Sequence, residues 1–283
     1  MSWRAALYLG LLFAPSLSAR ATSDFVCAPW KSKPRSERIG NTVLKISQTH
    51  DPAIAEVQWC RAAVMDNRGK EVFSITDYGI ESYRTDLDIN NDGDRDLVVE
   101  TYSGGAHCCW TYSVIATNKN PHLVLQIENE SAVAFADRDS DGKVELWASD
   151  GKFDYFDGMS HADTYFPTIV LQINGRTVSD ISPRFREYYD GEIAKAKDAL
   201  TPDKLQPFSG ARSKDEFPEY YERVAPRVLQ VVLSYLYCGR QNDAYKALQQ
   251  MWPIFDQQRV WQLILQTRAQ GLRRYSQAWK TAH

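Results

Sequence analysis

The spacing of apolar residues changes about two thirds of the way along the chain. Between Thr42 and Val178 they fall in short runs, TVLKI, AEVQWCRAAVM, DLVVETY, TYSVIAT, LVLQI and TIVLQI, rich in β-branched and aromatic side chains and separated by Gly, Asn, Asp and Pro. Runs of this length bounded by turn formers predict strands. DNRGKE, residues 66–71, has the composition of a hairpin turn.

Past Pro183 the spacing becomes helical. YYERVAPRVLQVVLSYLY places Val224, Val228, Val231, Val232 and Leu236 on one stripe, and EIAKAKDAL, DAYKALQQMW and QRVWQLILQTRAQGLRRY continue the pattern. Gly239 and Ala244 are small residues that would let two antiparallel helices approach in a tetratricopeptide-like hairpin. Pro253 falls early for that repeat, so an ordinary helical bundle packed on the β part is the simpler expectation. The chain is therefore expected to be α+β, with a leader over 1–21, a β domain over 22–183 and a helical domain over 184–283.

The leader reading rests on Arg4, the apolar run Ala5–Ala14 and small-residue cleavage points at Leu17-Ser-Ala19 or Ala19-Arg-Ala21. That order is the pattern of a secretory signal peptide. The apolar run is short for a membrane span, and no cysteine at the cleavage point could take a lipid. A periplasmic or secreted protein without a transmembrane anchor is the expectation. Five cysteines in an exported chain make at most two bridges. Cys27 with Cys60 is the preferred pair, while Cys108 and Cys109 could bridge each other or one of them could reach Cys238.

The formal net charge of the 283 residues is only −3, but it is unevenly spread. Residues 86–163 hold sixteen acids against five bases, a net of −11, whereas residues 184–283 hold eleven acids against sixteen bases, a net of +5. The acidic middle would repel phosphates, which argues against nucleic acid as a partner, and it favours a cation.

Two stretches carry most of that acidity. DLDINNDGDRDLVVETYSGG and AFADRDSDGKVELWASDGK align with Asp88 on Asp137, a period of 49 residues. A period of this size suggests propeller blades or a stack of related β units. In each stretch oxygen-bearing side chains stand at positions one, three, five and nine: Asp88, Asn90, Asp92 and Asp96, then Asp137, Asp139, Asp141 and Glu145. A glycine at position six permits a sharp turn, and position seven, Asp94 or Lys143, would contribute its backbone carbonyl. Hard oxygen donors in this number select Ca²⁺, whereas zinc or copper would ask for His or Cys. Two Ca²⁺ sites are the expectation, with Asp88, Asn90, Asp92, Asp94, Asp96, Asp137, Asp139, Asp141, Lys143 and Glu145 as contributors. An EF-hand or dockerin loop needs a further acid at position twelve, where this chain has Val99 and Ala148.

An acid at position nine running directly into a strand resembles the DxDxDGxxD calcium loops of FG-GAP and VCBS repeats of integrin-type β-propellers, over residues 86 to about 173. SGGAHCCW, residues 103–110, together with the second loop and DGKFDYF, also resembles uncharacterised exported bacterial proteins that carry such repeats. The resemblance implies blade-like or sandwich β units and calcium, and it implies no activity.

Other residues invite chemistry. His107 beside Cys108 and Cys109 has the composition of a nucleophile with its base, although exported cysteines are more simply read as a disulfide. Ser103, Gly104 and Gly105 read as a tight turn between strands, and His50, His122 and His161 as surface groups. Asp150, Asp154, Asp157 and Asp163 alternate with Phe153, Tyr155, Phe156, Tyr165 and Phe166, which fits core packing, a sugar-binding surface or the paired carboxylates of a glycosidase. No serine-hydrolase elbow, zincin motif, Walker loop or dinucleotide fingerprint occurs. The expectation is an exported calcium-binding protein that binds or scaffolds a protein or glycan partner in the cell envelope. The alternative is a hydrolase of envelope glycans or peptides using Asp154 or Asp157.

Overall fold

In the computed structural model, which describes residues 25–31, 33–50, 58–105, 109–129, 132–216 and 218–276, the first part of the chain forms three four-stranded antiparallel sheets. The leader-like segment 1–21, with His107 and Cys108, lies outside the described residues. The first sheet contains β1 (Arg35–Ile39), β2 (Thr42–His50), β3 (Gln58–Met65) and β4 (Glu71–Asp77). The second contains β5 (Gly79–Arg84), β6 (Asp96–Tyr102), β7 (Trp110–Ala116) and β8 (His122–Asn129). The third contains β9 (Ala134–Ala136), β10 (Glu145–Ser149), β11 (Thr168–Asn174) and β12 (Thr177–Asp180). Each is a meander in which strands adjacent in sequence pair with one another. DNRGKE is the β3–β4 turn, where Asp66 Oδ1 accepts the N–H groups of Arg68 and Lys70.

The middle sheet is covered on both faces, which explains why DLVVETY reads as a continuous apolar run rather than an alternating one. Leu97 and Val99 of β6 face Leu44, Ile46, Ala62 and Val64 of the first sheet in one buried cluster. Val98, between them, belongs to a second cluster with Val114, Leu146, Ile169 and Leu171. Each Leu, Ile or Val among them contributes roughly 1.5–3 kcal/mol on burial.

The two acidic loops occupy the same place in their sheets, between β5 and β6 and between β9 and β10. Asp96 opens β6 and Glu145 opens β10, so the 49-residue period is structural there. It ends after β10, because two 3-10 turns, Gly151–Phe153 and Phe156–Gly158, intervene before β11. They bury Phe153 and Phe156 in the second cluster. In the first sheet the corresponding β1–β2 connection is only Gly40-Asn41, with no acidic loop.

The C-terminal part is helical: α1 (Arg186–Ala199), α2 (Pro202–Ser209), α3 (Pro218–Tyr237), α4 (Gln241–Met251) and α5 (Gln257–Ser276). Val224, Val228, Val231, Val232 and Leu236 of α3 are all buried. These residues join the cluster that contains Val114 and Leu146, so the helices and the second and third sheets share one core. α2, unmarked in the sequence, is short and begins on Pro202, a residue suited to a first helical turn. Gly239 does not serve close helix approach, since a Cβ there would meet only Pro183, at 3.4 Å. It ends α3 instead. With φ of 81° it is the left-handed cap of a Schellman motif, in which the Arg240 N–H reaches the Tyr235 carbonyl at 2.9 Å and the Gly239 N–H reaches that of Leu236 at 3.2 Å. Ala244 is fully buried on α4.

Cys27 and Cys60 form a disulfide, with Cα atoms 5.9 Å apart, that ties the first described residues to β3. Cys109 is also disulfide-bonded. Cys238 is a free, buried thiol, which removes it from the bridges considered above.

Candidate metal centre

The two acidic loops repeat one ladder of hydrogen bonds from side chain to backbone. At position one, Asp88 accepts the N–H groups of Asp92 (3.1 Å) and Gly93 (2.9 Å), and Asp137 accepts those of Asp141 (3.1 Å) and Gly142 (2.9 Å). At position three, Asn90 Oδ1 accepts the Asp92 N–H and Asp139 Oδ1 accepts the Asp141 N–H. At position five, Asp92 Oδ1 accepts the Asp94 N–H and Asp141 Oδ1 that of Lys143, both at 2.9 Å. Two left-handed residues per loop make this winding possible. Gly93 and Gly142 at position six have φ of 92° and 82°, and Asn91 and Ser140 at position four have 57° and 59°. The glycines are visible in the sequence. Asn91 is a tolerable left-handed residue, whereas Ser140 carries no such signal.

The acid at position nine is treated differently from the rest. Asp96 and Glu145 are 1% and 0% exposed. Asp96 Oδ2 accepts the N–H groups of Ile89 and Asn90, and Glu145 Oε2 accepts that of Arg138. Their other oxygens, Asp96 Oδ1 and Glu145 Oε1, are buried with no donor. A buried carboxylate oxygen without a partner costs about 1–3 kcal/mol or more. Burial pushes the Asp96 carboxyl up to about 7 against the pull of its two backbone donors, and the charges of Asp92 and Asp88 add to the rise. Burial raises Glu145 as well, reinforced by Asp139, Asp137 and Asp141.

In the second loop Asp137, Asp139, Asp141 and Glu145 each offer an oxygen, all within 4.8 Å of one another, and together can hold a metal ion. The donor set is entirely carboxylate oxygen and suits a hard dication. Among the described residues no such close group of acids occurs in the first loop. There Asn90 replaces one carboxylate, and Asp92 Oδ2 is drawn to the amides of Asn90 (3.0 Å) and Asn118 (2.7 Å). Asp94 and Lys143 are exposed at position seven. Val99 and Ala148 at position twelve lie in the buried parts of β6 and β10, where a further acid would have no room.

Each loop is also bonded to the next unit of the chain. Asn91 Nδ2 donates to the Ile173 carbonyl at 2.7 Å and the Gly175 N–H to the Asn90 carbonyl at 2.6 Å, so the first loop is fastened to the β11–β12 turn. Arg184, in the 3-10 turn Ser182–Arg184 that leads into α1, donates from Nη2 to Asp139 Oδ2 and, at 2.7 Å, to Asp141 Oδ2. The guanidinium holds the Asp141 carboxyl below its ordinary range. Arg184 was not foreseeable, because it stands more than forty residues from the loop.

The remaining candidates are engaged separately. Asp157 forms a two-pronged ion pair with Arg259, at 2.6 and 2.8 Å, and accepts the Tyr221 hydroxyl at 2.6 Å. Asp154 binds the Tyr155 N–H and His161 Nδ1, both at 2.9 Å. Asp150 is buried beneath the Tyr237 hydroxyl, 2.5 Å away, and Asp163 accepts from Ser160. Two surface clefts, one around Glu100 and Tyr112 and one around Arg38 and Asp94, contain neither Asp154 nor Asp157. His122 differs from the surface reading: its Nδ1 meets the Asn120 carbonyl at 2.8 Å, but its Nε2 is buried without a partner. Gly104, with φ of 83°, turns the chain after β6, and a Cβ there would come within 2.8 Å of the Tyr78 ring.

Comparison with known protein families finds no family model that matches the chain, and comparison with curated proteins finds no matching sequence.

Proposed function

We propose that the protein is an exported calcium-binding scaffold whose two loops each hold one Ca²⁺ and so fasten FG-GAP or VCBS-like β units to one another and to the helices. The observation that carries the reading is the pair of buried, donorless oxygens, Asp96 Oδ1 and Glu145 Oε1, at corresponding points of two loops with the same hydrogen-bond ladder. Two sites built alike to bury one unsatisfied oxygen each fit a ligand that brings positive charge and accepts oxygen donors. In the second loop Asp137, Asp139, Asp141 and Glu145 would hold the ion. In the first, Asp88, Asp92 and Asp96 would act with the amide oxygen of Asn90. Asp94 and Lys143 would contribute through their carbonyls.

Export is supported by the leader pattern and the Cys27–Cys60 bridge. Among the described residues no helix is long and apolar enough to cross a membrane. The partner is read as a protein or glycan of the cell envelope. A hydrolytic role finds less support, since Asp154 and Asp157 are occupied by His161, Arg259 and Tyr221.

Titration of the mature chain with CaCl₂ in a calorimeter, paired with thermal melts in calcium and in chelator, tests the reading. At free calcium about 100-fold above Kd a single site adds about 2.7 kcal/mol of stability, which at this size raises Tm by about 5–10 °C. Asp96→Ala and Asp141→Ala should each remove one binding step. A chain that takes up no calcium and melts identically in chelator would overturn the proposal.

A further inference from the structure

We infer that Arg184 is a built-in competitor for the second loop's cation, occupying carboxylates that the ion must share and thereby setting that site's affinity. The inference rests on the calcium reading above. It comes from comparing the two loops at position five. In the first, the outer oxygen Asp92 Oδ2 is held by two neutral amides, Asn90 Nδ2 and Asn118 Nδ2. In the second, the outer oxygens of both Asp139 and Asp141 are held by one guanidinium carrying a full positive charge. The side-chain-to-backbone ladders from positions one, three and five match. Although Asn90 makes the first loop one charge poorer at position three, only the second loop has a cationic side chain seated on its would-be ligands.

A dication placed among Asp137, Asp139, Asp141 and Glu145 meets that charge on two of its four ligands. Repulsion and the shared lone pairs both oppose binding, and ligand charge is a main determinant of calcium affinity. Arg184 is also free to leave. Its side chain is 41% exposed, so swinging into water strands no buried charge. The backbone beside it stays anchored without it, because Ser182 Oγ accepts the Val170 N–H at 2.9 Å and the Ile181 N–H reaches the Val170 carbonyl at 2.9 Å. Filling the second loop would therefore exchange an internal ion pair for a solvated guanidinium at the start of α1.

The test uses the mature chain with the first loop silenced by Asp92→Ala, titrated with CaCl₂ in the calorimeter with and without Arg184→Gln. The expected result is a Kd for the second loop at least about tenfold lower once the guanidinium is gone, following the dependence of affinity on site charge. Melting supplies a second readout: Arg184→Gln should melt lower than its parent in chelator, where the four acids lose the guanidinium that offsets their repulsion, and no lower in saturating calcium. A merely structural arginine would lower both. If Arg184→Gln folds poorly, Arg184→Lys, which keeps one charge but cannot span both aspartates, should give an intermediate Kd. A parent that binds calcium with a Kd unchanged in both variants would overturn the inference and leave the calcium reading intact. A chain that binds none with or without Arg184 would overturn both, whereas binding that appears only in Arg184→Gln would support the inference.

Discussion

Gly142 and Gly104 show how one backbone requirement can have two different costs. Both have φ near +82°, but a Cβ on Gly142 would meet nothing within 4 Å, whereas one on Gly104 would strike the Tyr78 ring. Gly142→Ala should therefore lose only the conformational term, about 1–2 kcal/mol. Gly104→Ala should lose more, and denaturant titration of the two variants in chelator checks the order. Asp150 offers a pH test away from the acidic loops. Burial raises its carboxyl above the ordinary 3.8, against the lowering effect of the Tyr237 hydroxyl and the Lys152 N–H. A raised acid contributes stability that is complete below the unfolded value and is lost as pH rises through the folded one. Asp150→Asn should flatten that part of the profile, and parallel unfolding curves from about pH 3 to 7 would reveal it.

At the level of elements, what could be read from the sequence depended on how deeply each strand is buried. The inner strands β2, β3, β6, β7, β10 and β11 all announce themselves as apolar runs or as the strand behind an acidic loop. β1, β5, β9 and β12 do not, and β4 is signalled only by the turn before it. All five are edge strands; the sixth edge strand, β8, is legible as LVLQI because Val124, Leu125 and Ile127 are buried in the core shared with the helices. RSERI of β1 is exposed at four of its five positions, and it forms by pairing its backbone with β2, which leaves no periodic trace in side chains. The acidic loops were legible because their ligands are local, within nine residues. Arg184, Asn118 and the Asn91–Ile173 bond were not, because each joins the loops to distant parts of the chain. The Cys27–Cys60 bridge closes a separation of 33 residues, and by chain entropy it contributes about 3–4 kcal/mol. The double variant Cys27→Ala/Cys60→Ala should lose that amount in equilibrium unfolding with little change in far-UV circular dichroism.

Across the whole molecule, the helices are attached through the 3-10 insertion as well as through the shared core. Asp157 of that insertion is gripped by Arg259 of α5 and Tyr221 of α3, while Arg259 also pairs with Asp256 at 2.6 Å. Asp157 is held with φ of 53°, an unusual conformation for a residue other than glycine, so the surrounding contacts must hold it there. A double-mutant cycle of Asp157→Asn and Arg259→Gln should return a coupling of about 1 kcal/mol, the scale of a partly exposed two-pronged pair. A coupling near zero would show that this ion pair does not help to dock the helices, leaving that to the shared core and to hydrogen bonds such as Tyr237 to Asp150.

Among the described cysteines Cys238 is the one free thiol, beside the disulfide-bonded Cys27, Cys60 and Cys109. In the native fold it is sealed, donating to the Tyr235 carbonyl and accepting from Arg240 Nε at 3.1 Å, beyond the reach of solvent oxidants. Heat or denaturant would free it within the same molecule as two disulfides, where its thiolate can attack either one and trap scrambled or covalently joined chains. Recovery after melting should therefore be poor at neutral pH and improve in acid, or when Cys238 is replaced by serine, so the irreversibility of this protein would be chemical before it is physical.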